Sequence, residues 1–325
     1  MESTRAAIES VVIDTAFEER HFREWRLWRG EADTGTILAI SDIRFGLIAQ
    51  LDQQSKDEPE SAVQLARERL FHTLSQFTDP YVGESGTDKG YGSGAFSCSV
   101  TAWEGSLRRS IVSEGRQFGH RNLEDLEHVV AGEVDEQGIF RGRIRAFGRQ
   151  LEGEVMIPPS FQVPTRSNSR VGPFHIRIGT FEQLLRNTSH SEEVFRRLEE
   201  RAERYAGLMI YRDGLRVMPY GREDNDFFEI EKRRSQHAGR EFWSMRRLFG
   251  RVAVRCAENP NLKDKAGREG LIDNKTGKVF RDLVVNILRE TGRRYFGTDS
   301  ENRRRYLPEQ QEDYQRRKAE EARNK

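Results

Sequence analysis

Between residues 232 and 247 the chain gathers side chains suited to gripping a polyanion: Lys232-Arg233-Arg234, Arg240, Arg246 and Arg247, with Phe242 and Trp243 among them. Cations neutralise phosphates and aromatic faces stack on bases, so the mixture points toward nucleic acid; it equally suits a charged, solvated loop. A second group of cations follows in Asn259-Pro-Asn-Leu-Lys-Asp-Lys-Ala-Gly-Arg-Glu-Gly270, which carries Lys263, Lys265 and Arg268. Nothing comparable exists for metal or thiol chemistry. Cys98 and Cys256 stand in no metal-ligand spacing and are too few for a disulfide framework, which fits a reducing cytoplasm. The seven histidines are scattered, and no metal ligands are assigned.

Composition narrows the classes further. Lys plus Arg number 54 against 53 acidic residues, so net charge gives no argument for nucleic acid and only the local patches do. The mean hydropathy is −0.79. No apolar run approaches the roughly 18 residues of a membrane helix, and the N-terminus has no hydrophobic signal core, so neither membrane insertion nor secretion is indicated. The Asn187-Thr-Ser189 sequon is then read as chance.

With 325 residues the chain can hold two domains. The first part, 1–157, reads as a β-rich α+β region with one clear helix over 62–77 and a hairpin, 129–134 and 139–144, around Glu136-Gln-Gly138. Prolines and a Ser/Asn/Arg run make 158–169 a linker. The second part, 170–297, reads as strand 173–178, helix 191–206, hairpin 207–220, strand 248–255 and helix 275–295. Asp213-Gly214 between apolar runs is a hairpin signal, because glycine accepts positive φ. Phe195, Leu198, Ala202 and Tyr205 recur at helical spacing between Ser191, a suitable N-cap, and Gly207. Val279, Phe280, Leu283, Val284, Ile287 and Leu288 form a wider apolar stripe that belongs to the core. The charged tail, 298–325, reads as solvated helix or disorder, or as an arm that contacts a partner or DNA. The expected class is α/β, a mixed β-sheet with helices on one face.

The stretch Gly207-Leu-Met-Ile-Tyr-Arg-Asp-Gly-Leu-Arg-Val-Met-Pro-Tyr-Gly221, joined to the Asn259–Gly270 block, resembles the transducer domain of GHKL-type ATPases. That superfamily holds gyrase B, the MutL mismatch-repair proteins, the ninety-kilodalton heat-shock chaperones and the MORC proteins. The nearest likeness is to bacterial ATP-binding proteins reading Y-R-D-G-F-R-V-x-P-Y-G, then N-P-x-L-x-D-K-x-x-R-E-G-L, many of them suspected in antiviral (phage) defence. Gly35-Thr36-Ile37 through Asp42-Ile43-Arg44 is similar to the family's strand after the ATP lid. Leu70 to Pro80, the strand at Gly172-Pro173-Phe174 and the helix from Val279 extend the likeness over about residues 35–297. Phe227 stands where the family commonly has Trp.

The resemblance implies a ribosomal-protein-like, left-handed βαβ transducer fold. It also implies that one cation on the loop after strand 248–255 reaches the γ-phosphate of ATP in a neighbouring site. A fixed positive charge there stabilises the transferring phosphoryl group. Arg268 is the first candidate and Lys265 the second, with Asn259 and Pro260 shaping the turn, Lys263 beside them and Glu269 holding Arg268. The helix bearing a Glu and an Asn, the adenine-site Asp and the glycine lid of a Bergerat pocket are missing. Asp88-Lys-Gly90-Tyr-Gly92 fits D-x-G-x-G, but the helix before it has no asparagine, so it reads as a loop. ATP and Mg2+ are therefore expected only through a Bergerat ATP-binding module in cis or trans, and ATPase activity only together with it. A homodimer and a nucleic acid are the other partners left open, with Lys232, Arg233, Arg234, Arg246 and Arg247 as the nucleic-acid contacts. The alternative function is a non-enzymatic nucleic-acid-binding or scaffold protein of the same fold.

Overall fold

The structure, a computed structural model, describes residues 18–323 except 24, 42, 52–61, 84–97, 113–117, 167, 223, 237–240 and 266–269. The Asp88–Gly94 run and Arg240 lie outside the described residues. Contacts divide the chain into residues 1–67 and 68–325. In the smaller unit, α1 (Glu19–Phe22) and α2 (Phe45–Leu51) are the described helices. Trp25 and Trp28 follow α1 in irregular, turn-like backbone. Local bonds such as Trp25 N–H to Phe22 O (2.8 Å) close the backbone, and Phe22 stacks on Trp28 at 5.2 Å. Residues 35–41, part of the segment similar to the family's strand, join no ladder among the described residues.

α3 (Ala62–Ser75) spans the division, and β1 (Val100–Glu104) with β2 (Leu107–Val112) forms a separate hairpin. The main sheet of the larger unit is open and mixed. Its strands are β3 (His128–Val134), β4 (Phe140–Ala146), β5 (Arg149–Gln150), β6 (Val155–Ile157), β7 (Phe174–Thr180), β8 (Gly207–Arg212), β9 (Leu215–Val217) and β10 (Phe249–Val254). They are ordered β5-β4-β3-β7-β10-β8-β9, with β6 also on β4. β8 and β10 are parallel, and β7 is antiparallel to both β10 and β3. Because β3 and β4 precede residues 158–169 and β7 follows them, that segment is a connection inside the larger unit rather than a linker between domains.

Every residue of β7 and β10 is buried, the mark of strands covered on both faces. Alternation sends Leu208, Ile210, Ile176 and Val252 into one core with Phe280, Leu283, Val284 and Ile287 of α7 (Lys275–Thr291). Met209, Tyr211, Phe249 and Ala253 enter a second core with Phe195, Leu198 and Ala202 of α5 (Glu192–Tyr205). Helices therefore cover both faces, which corrects the one-face expectation. The α7 stripe alone stabilises the fold by about 1.5–3 kcal/mol for each large side chain buried.

Ser191 Oγ accepts from Val194 N–H, and Asn274 Oδ1 accepts from Gly277 N–H at 2.7 Å, capping α5 and α7. The hairpin turn sets Asp213 at φ 49° and Gly214 at φ 77°, which is why glycine stands there. α4 (His120–Glu124) and α6 (Ile230–Gln236) are short. The tail forms α8 (Glu301–Arg323). It docks through polar contacts: Arg303 donates to both oxygens of Glu182 (2.7 and 3.1 Å), and Gln311 donates to Asn187 at 2.9 Å.

Acid should unfold the protein through two groups. Burial, then the Arg216 and Arg222 guanidiniums, push His72 down to about 3. Burial raises Glu182, but its bonds to His128 and Arg303 outweigh this and hold it below the usual range. A depressed histidine contributes stability that is complete above its unfolded value near 6.5 and is lost as pH falls toward 3. A depressed carboxylate loses its contribution at still lower pH. Denaturation midpoints should thus fall between pH 6.5 and 4.5, and His72→Leu should flatten that stretch. An unchanged pH profile in His72→Leu would refute the assignment.

Candidate functional site

The loop that follows β10 is fixed at its start by Asn259, which is 1% exposed. Its amide nitrogen donates to Pro173 O at 2.7 Å and its amide oxygen accepts from Gly172 N–H at 2.8 Å. Gly172 is needed for this approach, since a Cβ there would lie 2.0 Å from Glu258 O. Pro260 follows, exposed. Asp264 and Leu271 then bridge antiparallel, with Lys265 N–H to Gly270 O and Ile272 N–H to Lys263 O, both 2.8 Å. Residues 263–265 and 270–272 thus form the two feet of a narrow protrusion. Arg268 and Glu269 lie outside the described residues. Lys263 and Lys265 are exposed, and neither has an ion-pair partner among the described residues.

Both feet of the protrusion stand on the β8–β9 hairpin. Arg212 Nη1 donates to Asp264 Oδ1 at 2.9 Å in a largely buried pair. Burial would lower the Arg212 pKa, but the Asp264 carboxylate raises it, so the guanidinium stays charged. Tyr220 OH accepts from Leu271 N–H at 2.7 Å, and Asp213 Oδ1 accepts from Cys256 N–H at 3.0 Å. The two sequence blocks that carry the family likeness thus hold each other. Arg212, Tyr220 and Asp264 escaped the sequence reading as site residues. Their signal was position inside the Y-R-D-G, P-Y-G and L-K-D-K motifs.

The basic cluster is arranged differently from what its spacing suggests. Trp243 is 2% exposed and donates its indole N–H to Leu288 O at 2.9 Å. Phe242 packs on Phe296 at 5.0 Å and His128 at 5.2 Å. These aromatics fill the core and present no stacking platform. Lys232 pairs with Glu229 at 2.9 Å, and Arg233 is pulled inward to donate to Phe228 O at 2.8 Å. Arg247 pairs with Glu199 at 3.0 Å and lies over the Phe181 ring. Arg234 donates to Gln183 at 3.3 Å, and Arg246 is exposed.

What remains for a nucleic acid is contact with phosphates. Duplex DNA titrated at rising salt checks this: phosphate contacts give a linear log–log fall of about −0.9 per phosphate neutralised, the same for unrelated sequences. Absence of binding at low salt leaves the cluster as a solvated surface.

Among the described residues no group of three or more His, Cys, Asp or Glu is placed to hold a metal ion, and no helix is long and apolar enough to cross a membrane. Comparison with family models, curated proteins and solved structures gives no match.

Proposed function

We propose that this chain is the transducer part of a GHKL-type ATPase. It senses the γ-phosphate of ATP bound by a neighbouring Bergerat module and couples that contact to conformational change, in a bacterial defence setting. The observation that carries the reading is the cation-bearing protrusion after β10, with both feet tied to the β8–β9 hairpin. A loop anchored in this way can pass a displacement of its tip to β8 and β10, the parallel pair inside the sheet. On this reading the chain contributes one half of an ATP site. Lys265 and Arg268 supply positive charge, whereas the adenine and the magnesium that would polarise the phosphates belong to the partner module.

Chemically, this chain's part is electrostatic. An arginine fork can meet two phosphoryl oxygens together, and it stabilises charge that builds during transfer without reorganising in the reaction. Glu269 would orient that fork. The test is steady-state phosphate release by the chain reconstituted with its Bergerat module, comparing the parent with single alanine variants at residues 263, 265 and 268. The rival, a non-enzymatic nucleic-acid-binding or scaffold role, draws less support, because Trp243 is committed to the core and Phe242 packs half-buried against it.

A further inference from the structure

Beyond the end of β7 lies a cavity of about 180 Å3. Its walls come from four places in the chain: the exit of β7, α6, the segment before β10, and α8. Five ionisable side chains line it, Glu182, Glu241, Arg234, Arg247 and Arg303. Counted as charges these leave one positive in surplus, and the pairing shows where it sits. Glu182 takes Arg303 in two hydrogen bonds and faces His128 at 3.3 Å. Glu241 lies 3.9 Å from Arg233, outside the cavity lining. Arg247 reaches Glu199, whose side chain is 42% exposed, so that pair is of the weak, solvent-screened kind. Arg234 Nη2 has a neutral partner, the Gln183 amide.

We infer that this cavity binds a small oxyanion, a phosphate ion or a phosphate-monoester group, between the guanidiniums of Arg234 and Arg247. Size argues for a small ligand, because sites for drug-sized molecules run to about 300–1,000 Å3. Chemistry argues for an oxyanion: guanidinium forks match its oxygens two at a time, Arg234 has only a neutral partner, and Arg247 is held by a solvent-screened carboxylate and a long 3.4 Å bond to Glu182 O that an anion can outcompete. Arg303 and Glu182 form the fixed wall. The sequence drew attention to Arg234 and Arg247 as nucleic-acid contacts. The structure brings them together with Arg303 of α8, some sixty residues farther along the chain. The site is independent of any ATPase coupling.

The experiment titrates inorganic phosphate into the full chain by calorimetry at constant ionic strength, with chloride and acetate as further arms. Saturable binding of phosphate is expected, weakened about tenfold or more by Arg234→Gln and again by Arg247→Gln, and unchanged by Lys278→Gln. Circular dichroism confirms that each variant is folded. O-phosphoserine should compete with phosphate if the monoester group is accepted. No saturable heat at millimolar phosphate, equal affinity for acetate, or retention of binding in the Arg234→Gln/Arg247→Gln double variant would each overturn the assignment.

Discussion

If the chain completes an ATP site as proposed, Arg268→Ala is expected to lower steady-state phosphate release by the reconstituted assembly roughly tenfold to a thousandfold, while nucleotide affinity changes far less. The reason is the timing of the charge. A fixed cation near the γ-phosphate gains most when negative charge builds on the transferring group, so its loss is felt in turnover. Lys265→Ala should cost less, since an ammonium meets phosphoryl oxygens as a point charge where an arginine fork can meet two together. Lys263→Ala serves as the control on the same foot. Release at the parent rate by Arg268→Ala would remove Arg268 from the site. A dead Lys265→Ala beside an active Arg268→Ala would make the lysine the phosphate sensor, as the likeness to gyrase and MutL implies.

The largest effect on stability should come from Asp79. Its Oδ2 lies 2.7 Å from Arg251 Nε at the centre of the sheet, and both side chains are 0% exposed. Asp79 Oδ1 also accepts from Tyr81 N–H at 2.9 Å. Around the pair stand His175, held neutral by burial and by the Arg251 and Arg177 charges, and Tyr211, whose phenol burial drives well above its ordinary value. Removing the carboxylate leaves a guanidinium in this interior with its main countercharge gone. Asp79→Ala is expected to destabilise the larger unit by about 3–5 kcal/mol in urea unfolding. Replacing both partners, Asp79→Leu with Arg251→Met, should cost much less than the single change, because no uncompensated charge remains. A loss below about 1 kcal/mol for Asp79→Ala would mean that the pair is not buried as described.

Much of the larger unit was legible because its elements carry strong local signals. The β8–β9 hairpin follows from Asp213-Gly214, α5 from the Phe195, Leu198, Ala202 spacing, and α7 from its broad apolar stripe. α6 was missed: it is short, and it begins where the Asp226 carboxylate accepts from Ile230 and Lys232 N–H, at 2.6 and 3.0 Å. That cap is visible in the sequence as an Asp four residues before the helix's first residue. Pairing between distant strands leaves no periodic trace. The β3–β7 ladder therefore could not be foreseen, and residues 158–169 looked like a domain linker. The cover on both faces was hidden by Arg251, His175 and Arg177, buried polar side chains on the second face, of which Arg251 pairs with Asp79 and Arg177 with His120.

At the candidate site, residue types were readable and their surroundings were not. Lys263 and Lys265 of the loop after β10 stand exposed, but nothing in their spacing revealed that Arg212, Asp213 and Tyr220 would hold that loop. Trp243 shows the opposite error, in which a residue typical of a stacking platform is spent on filling the space beside α7.

The central claim is that the chain supplies only half of an ATP site. Phosphate release measured for the chain alone, for its Bergerat module alone and for the two together tests this most directly. The account predicts turnover in the mixture well above the sum of the parts and no turnover from the chain alone. Turnover by the isolated chain, or a mixture no faster than the module by itself, would contradict it.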